Sequence, residues 1–337
     1  MKLWLRIAIA AALVAPVSAD AQSKFFEGKT VRIVVGFSAG GGYDTYSRAI
    51  ARHFSRHIPD KPTVIVENMP GAGSMIAANH LYKVAKPDGL TIGNFAGGLV
   101  LAQVLGQPGI EFDARKLPWV GVPSREVCVC ALTKASGVAS VASWMAAAKP
   151  VKLGGVGPGT STDDAPRVLA ATVGLPIQLV RGYKGTAEIR LAAESGEVAG
   201  GCWQWESVKS TWRQALESGE VSVVLQIGRK PLAELPNVPL ASSLAKTDEA
   251  RQIIIAGVIV PTEIGRLYAL PPGTPADRVQ ALRTAWTETM RDGEFVAEAK
   301  RSKLEIDAMD GDELTRVVGE LMKLDPAIVA KLKDILK

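Results

Sequence analysis

Histidine is scarce in this 337-residue chain: His53, His57 and His80 are all it has. That scarcity settles an otherwise attractive case. Gly36–Phe37–Ser38–Ala39–Gly40 matches Gly-x-Ser-x-Gly between a predicted strand and a predicted helix, the setting of the nucleophile elbow in α/β hydrolases. The elbow needs an acid and then a histidine further along the chain, and no histidine follows His80. His53 and His57 lie on the helix that directly follows Ser38, a poor place from which to serve it. A secreted serine esterase using Ser38 is therefore the alternative, and the chain is expected not to be an enzyme.

The other absences narrow the field further. His53 and His57 stand four apart, as metal ligands on a helix do, but no third ligand is evident from spacing, so they are expected to edge a core as neutral side chains. No Gly-Lys-Ser/Thr occurs in the glycine loops, and Ile76 stands where a dinucleotide-binding loop beginning at Gly71 would need Gly or Ala, so nucleotide chemistry is excluded. Three cysteines, Cys128, Cys130 and Cys202, fit neither a zinc site nor Cys-x-x-Cys. Cys128 and Cys130 share one face of a strand and cannot easily bond each other. Cys202 pairing with Cys128 or Cys130, and three buried free thiols, both stay open. No cofactor and no metal are expected.

Charge is spread thinly. The chain carries 39 Lys and Arg against 34 Asp and Glu, net +5, with no basic run of the kind nucleic acid or a membrane surface would need. Long apolar runs are missing as well, apart from one at the start. Lys2 and Arg6 flank or precede the run Ile7 to Val17, and Ala19–Asp20–Ala21 offers a small-x-small cleavage site. This reads as a secretory signal, cleaved after Ala21, that sends the chain to the periplasm; the run is too short for a span of roughly 20 residues. No lipobox cysteine lies near it.

What the sequence does have is one design used twice. Val31–Val35 runs into Gly36–Phe37–Ser38–Ala39–Gly40–Gly41–Gly42–Tyr43–Asp44, and Val151–Leu153 runs into Gly154–Gly155–Val156–Gly157–Pro158–Gly159–Thr160–Ser161–Thr162. Each is an apolar strand, a glycine loop with hydroxyls, and a helix start. Glycines bare the backbone N–H groups, and the helix terminus adds roughly half a positive charge. Each loop is a candidate anion cradle. Asp44, Thr160 and Ser161 have a second reading as helix caps. Trp203 and Trp205 close a strand predicted over 198–203; they either stack on an aromatic ligand at the strand's end or pack beneath the next helix.

Strand and helix signals alternate from Val31 onward, which predicts an α/β fold with mostly parallel sheets. Composition shifts near Pro118–Arg125 and Arg229–Pro239 are read as two crossings between lobes. The expected organisation is signal peptide 1–21, lobe one 22–122, lobe two 123–230, and a return to lobe one with C-terminal helices over 231–337. The helix after residue 204 is predicted as one piece, 205–217.

Taken together, these segments resemble the Bug family, the extracytoplasmic solute receptors of tripartite tricarboxylate transporters. Gly28 to Asp44 with Arg48, Val66 to Gly73, and Lys86–Pro87–Asp88–Gly89–Leu90–Thr91 look like its opening signatures. Gly157–Pro158–Gly159–Thr160, Tyr183–Lys184–Gly185–Thr186–Ala187, Leu235 to Pro239 and Leu270 to Pro275 are similar to the later ones. Two departures stand out: Asp163–Asp164 follow the Gly-Thr loop where the family usually shows His, and Gly182 replaces the usual Pro before Tyr183. The resemblance implies a two-lobed periplasmic binding-protein fold, type II-like, with the ligand cleft between lobes. It implies a monomer that captures a di- or tricarboxylate or an aromatic acid and is read by transporter membrane subunits, with a signalling sensor as the other use of the same closure. By position it implies ligand contacts from Phe37, Ser38, Gly41, Gly42, Tyr43, Asp44, Gly73 and Ser74 in lobe one. Thr160, Ser161, Tyr183 and Lys184 would serve lobe two, and Trp203 and Trp205 are added for an aromatic ligand.

Overall fold

The computed structural model describes residues 24–337, so the predicted signal segment lies outside the described residues. The first lobe opens with β1 (Thr30–Val35), α1 (Gly42–Phe54), β2 (Thr63–Asn68), α2 (Met75–Lys83), β3 (Thr91–Ala96), α3 (Gly98–Val104) and β4 (Trp119–Val122). The chain then builds β5 (Cys128–Thr133), α4 (Val141–Met145), β6 (Val151–Gly155), α5 (Ser161–Val173), β7 (Ile177–Arg181), α6 (Thr186–Glu194), β8 (Gly200–Gln204), α7 (Trp205–Thr211), α8 (Arg213–Glu217) and β9 (Val221–Ile227). Four short-to-medium elements follow, α9 (Ala241–Leu244), α10 (Asp248–Ile254), α11 (Val260–Glu263) and β10 (Arg266–Ala269). The chain ends in α12 (Ala276–Arg291), α13 (Gly293–Arg301), β11 (Met309–Asp310), α14 (Gly311–Leu321) and α15 (Pro326–Leu336).

Two sheets result, ordered β11-β4-β10-β3-β1-β2 and β7-β6-β8-β5-β9. Alternation predicts mostly parallel pairing, but each sheet mixes the two senses. β1 pairs parallel with β2 and β3, and β6 with β7 and β8, because helices carry the chain back over one face between these strands. β5 and β10 are entered from the other lobe, free of that constraint, and both run antiparallel to their neighbours. Strands β3 and β5 are buried along their whole length, as strands covered by helices on both faces should be.

Of the pairings left open by the sequence, the structure has Cys130 with Cys202, which face each other directly across β5 and β8. Closing a 72-residue separation restricts the unfolded chain by about 4 kcal/mol in the loop-entropy account. Cys128 stays a buried thiol, and burial pushes its pKa up.

The chain leaves the first sheet between Val122 and Cys128, and it does not return to that sheet at 229–239. The chain re-enters the first sheet only at Arg266. The physical reason is apolar: Ile253, Ile254, Val258 and Ile259 are buried in one cluster with Val168 and Leu169 of α5, and Leu332 and Leu336 of α15 join them. The segment between β9 and Val260, and the last helix, thus pack around α5, with Leu101 and Leu105 of α3 in the same cluster. The helix predicted over 205–217 is broken at Trp212 (φ −123°, ψ 23°), whose indole stacks on Trp203 and donates to Glu194 at 2.9 Å. That stacking turns the chain out of the α7 axis.

Candidate functional site

The loop from β1 to α1 is held from outside. Asp44 accepts hydrogen bonds from Gly40 N–H (2.9 Å), Arg48 Nε (3.0 Å) and Asn68 Nδ2 (3.0 Å). Burial alone would raise the Asp44 pKa; the donors from Arg48, Gly40 and Asn68 outweigh it and hold the carboxyl below its usual value. Asp44 is thereby committed to the loop's shape and does not cap α1 as the first residue before it; Gly41 stands at that position with no side-chain cap. Gly41, Gly42 and Tyr43 N–H consequently find no acceptor among the described residues. At the start of a 13-residue helix these amides carry the positive end of its dipole.

Beneath this loop lies a buried ion pair. Glu126, on the first crossing, meets Arg266, on the second, and both side chains have no solvent exposure. The guanidinium sits 4.4 Å from the Tyr46 ring centre and 5.1 Å from that of Tyr43. A Cβ on Gly42 would come within 2.7 Å of Arg266 Nη2 and would collide with Ser207, so only glycine lets α1 approach this closely. Tyr43 donates its hydroxyl to Gly265 C=O at 2.7 Å, and burial raises its pKa to about 12.

The loop from β6 to α5 is held from within. Thr162 Oγ1 accepts Val156 N–H (3.1 Å), Asp164 Oδ1 accepts Gly159 N–H (3.2 Å), and Thr160 N–H and hydroxyl both donate to Gly157 C=O (3.2 and 2.7 Å). Val156, Gly159 and Thr160 N–H are therefore taken up internally, whereas Ser161 and Thr162 N–H, at the start of α5, find no acceptor among the described residues. Beside these it presents polar side chains. Asp163 is paired with both donors of Arg181 (2.6 and 2.8 Å), whereas burial, reinforced by the neighbouring Asp163, drives the Asp164 carboxyl up to about 8.

The lobes touch along these loops. Ser38 N–H donates to Lys184 C=O at 3.2 Å, and Arg190 Nη2 to Gly40 C=O at 3.2 Å. A Cβ on Gly73 would lie 2.7 Å from Pro158 C=O. Two adjoining small cavities, of about 20 and 10 Å³ and so with room for about one water each, remain between the lobes. One is lined by Phe37, Gly41, Gly42, Val156, Thr162 and Thr186; the other by Gly98, Gly159, Asp164, Pro261, Thr262 and Gly265. Tyr43, Thr160, Ser161 and Gln204 wall both.

Of the residues expected at a ligand, Phe37, Gly41, Gly42, Tyr43, Thr160 and Ser161 thus come together at one place. Others do not line the chambers. Ser38 turns its hydroxyl toward Gly185, and Ser74 is fully buried, accepting Ala96 N–H at 3.0 Å. Gly73 belongs to the lobe contact. Tyr183 donates to Glu197 at 2.7 Å, and Lys184 contributes its carbonyl rather than its ammonium. Trp203 and Trp205 need correcting as ligand contacts. Trp203 is wholly buried against Trp212, and the Trp205 indole donates to Glu234 at 2.6 Å. Strand alternation along β8 places Trp203 on the face away from the cavities and turns its neighbour Gln204 inward, while Trp205 opens α7. Gln204, Thr186 and Asp164 are among the lining residues that the sequence does not single out; a lone glutamine between two tryptophans at the end of a buried strand is the available signal for the first.

The helix of His53 and His57 meets carboxylates from α12 and α13. His53 Nε2 lies 2.7 Å from Glu298, and His57 Nε2 lies 2.8 Å from Asp292. Asp292 and Glu294 bring a metal-like grouping around His53, but Arg56 is already there, 2.6 Å from Glu294 and 2.9 Å from His53 Nδ1. The guanidinium supplies the cation, and the arrangement ties α1 to the return helices.

Comparison with known proteins identifies the family and the fold. The profile of the tripartite tricarboxylate transporter family receptor matches residues 47–333. A UPF0065 protein encoded in the gbd 5′ region of Cupriavidus necator is 27% identical over 332 residues, covering 96% of this chain and 94% of that one. Among solved structures, the periplasmic binding protein BugD superposes with a TM-score of 0.73 at 21% identity, over 91% of this chain and 97% of its own. MatC from Rhodopseudomonas palustris, solved with malate, gives 0.71 at 20% identity, over 92% and 99%. An R. palustris protein solved with adipate gives 0.71 at 22%, over 91% and 97%. The chain belongs to the tripartite tricarboxylate transporter receptor family, the Bug periplasmic solute-binding proteins.

Proposed function

We propose that this chain is a periplasmic receptor that closes on a small organic carboxylate and delivers it to the membrane subunits of a tripartite transporter. The observation that carries the reading is the row of unbonded amides at Gly41, Gly42 and Tyr43, set at a helix start and facing an interlobe chamber. Carboxylate oxygens satisfy such donors directly. Malate and adipate in two proteins of the same fold support that chemistry.

Native mass spectrometry of protein purified without refolding, followed by thermal-shift screening with C3 to C8 carboxylates, tests the proposal. A bound acid at a hundred times its Kd should add about 2.7 kcal/mol to stability. A panel in which no carboxylate raises the Tm overturns it. The esterase alternative is tested in the same preparation: the receptor should not hydrolyse an activated ester, and hydrolysis that vanishes in Ser38→Ala would favour the enzyme.

A further inference from the structure

One buried acid outside the two loops has no part in the receptor reading. Glu206, on α7, is 4% exposed, and its Oε2 finds no donor among the described residues. Lys209, one turn further along the same helix, serves three carboxylates at once. Its Nζ lies 3.0 Å from Glu206 Oε1, 2.9 Å from Glu234 Oε2 and 4.0 Å from Glu305 Oε2. One ammonium cannot neutralise three carboxylates, so a proton held within the group relieves its repulsion. The acids also come from different lobes. Glu206 and Lys209 directly follow β8 of the second sheet, and Glu234 follows β9. Glu305 precedes β11 of the first sheet, and Tyr46 of α1 grips its backbone twice, donating to its C=O at 3.0 Å and accepting its N–H at 3.1 Å. Of the other charged or titratable groups nearby, the Tyr46 phenol faces Glu206, Lys303 acts on Glu234, and Arg266 is committed to Glu126.

We propose that Glu206 and Glu305 form a proton-sharing carboxyl pair that fastens the two lobes together, so that loss of the proton from Glu206 favours their separation. This rests on the receptor reading above for the hinged motion of the lobes. While Glu206 keeps its proton, its O–H donates to Glu305, and Lys209 is left to the two ionised acids. Once Glu206 ionises, a buried carboxylate faces a second carboxylate, and parting the lobes returns it to water. Burial, opposed by the Lys209 charge and reinforced by the contact with Glu305, raises the Glu206 pKa to about 8, so the pair is fastened at neutral pH. In separated lobes Glu206 returns toward its ordinary value of about 4.3. Closing therefore takes up one proton between about pH 5 and pH 8, and the closed-to-open ratio falls by about tenfold per pH unit across that window.

Single-molecule Förster transfer between dyes at Lys86→Cys in lobe one and Lys149→Cys in lobe two, both exposed positions, reads that ratio with no acid added. The native cysteines do not compete for dye, since Cys130 is bonded to Cys202 and Cys128 is buried. The closed population of the unaltered protein should shrink as pH rises from 6 to 8. Asp164 also lies between the lobes and titrates in this window, so the share of Glu206 is read from variants. Glu206→Gln keeps a donor for Glu305 without a titrating proton and should flatten the profile by about tenfold per pH unit. Glu305→Gln, at an exposed side chain, should end the decline at a lower pH and leave more protein closed at pH 8. A closed population that does not change with pH, or a profile left unaltered by either variant, overturns the pair. Because no acid is present, those outcomes leave the receptor reading intact; that reading falls only to the carboxylate panel above.

Discussion

The two strand–loop–helix units share a sequence design and part ways in chemistry. Around Gly40–Tyr43 the loop is braced by Asp44, Arg48 and Asn68; Asp44 takes up Gly40 N–H, and Gly41, Gly42 and Tyr43 N–H stay open among the described residues. Around Val156–Thr160 the bracing comes from Thr162 and Asp164, which accept Val156 and Gly159 N–H, and from Thr160, whose hydroxyl donates to Gly157 C=O, while Ser161 and Thr162 N–H stay open among the described residues. In both units an acidic side chain takes up a glycine amide ahead of the helix, and the first helical amides remain as donors. What differs lies beside the loops, the Glu126–Arg266 ion pair under the first and a carboxyl held neutral by burial at the second.

The strongest way to break this contrast is to remove the cation from beneath the first loop. Arg266→Met leaves Glu126 buried and alone, and such uncompensated charges typically destabilise by about 3–5 kcal/mol. Chemical denaturation of the variant should show that loss, and Glu126→Gln with Arg266→Met together should recover most of it. Because the pair joins both crossings, the single variant should also weaken acid binding. A double variant no more stable than the single one would mean that the ion pair is not the main contribution of Arg266.

A smaller effect separates the loops by their amides. Thr162→Val removes the acceptor of a buried Val156 N–H and should destabilise by about 1–3 kcal/mol, the usual penalty for an orphaned buried donor. Thr45→Val is the counterpart in lobe one. It removes only a donor to Gly41 C=O, which still accepts Thr45 N–H, so about 0.5–1 kcal/mol is expected. Equal losses in urea titrations of the two variants would argue that both loops depend alike on internal hydrogen bonds.

Much of the fold was legible because its signals are local. Apolar runs such as Val31–Val35 and glycine loops ahead of helices place the elements, and their order carries the family resemblance. The second crossing was not legible, because whether Ile253 and Ile254 serve one lobe or the other depends on Val168 and Leu332, far away in sequence. At the site, the glycines and hydroxyls of both loops were readable from composition. The faces of Trp203, Gln204 and Trp205 were not, since alternation fixes which residues share a side without saying which side meets the cleft. The internal use of the second loop's amides depends on hydroxyl placement, which spacing does not encode.

The finest comparison is in pH. Asp44 has a folded pKa below its unfolded value, so the stability it contributes is present above about pH 4 and is lost as pH falls through the folded value. Asp164 has the opposite sign. Below about pH 4 it is protonated in both states and contributes nothing. Between there and about pH 8 the unfolded chain ionises while the folded carboxyl stays neutral, so stability declines across that window. Glu206, also raised to about 8 by burial, adds a parallel slope, which a variant comparison cancels. The Tm of Asp164→Asn relative to the unaltered protein should therefore climb by a few degrees from pH 5 to pH 8, whereas Asp44→Asn should lose least, relative to the unaltered protein, at pH 3. A flat difference across pH for Asp164→Asn would show that its carboxyl is ionised and compensated in the fold, and the two loops would then be electrostatically alike.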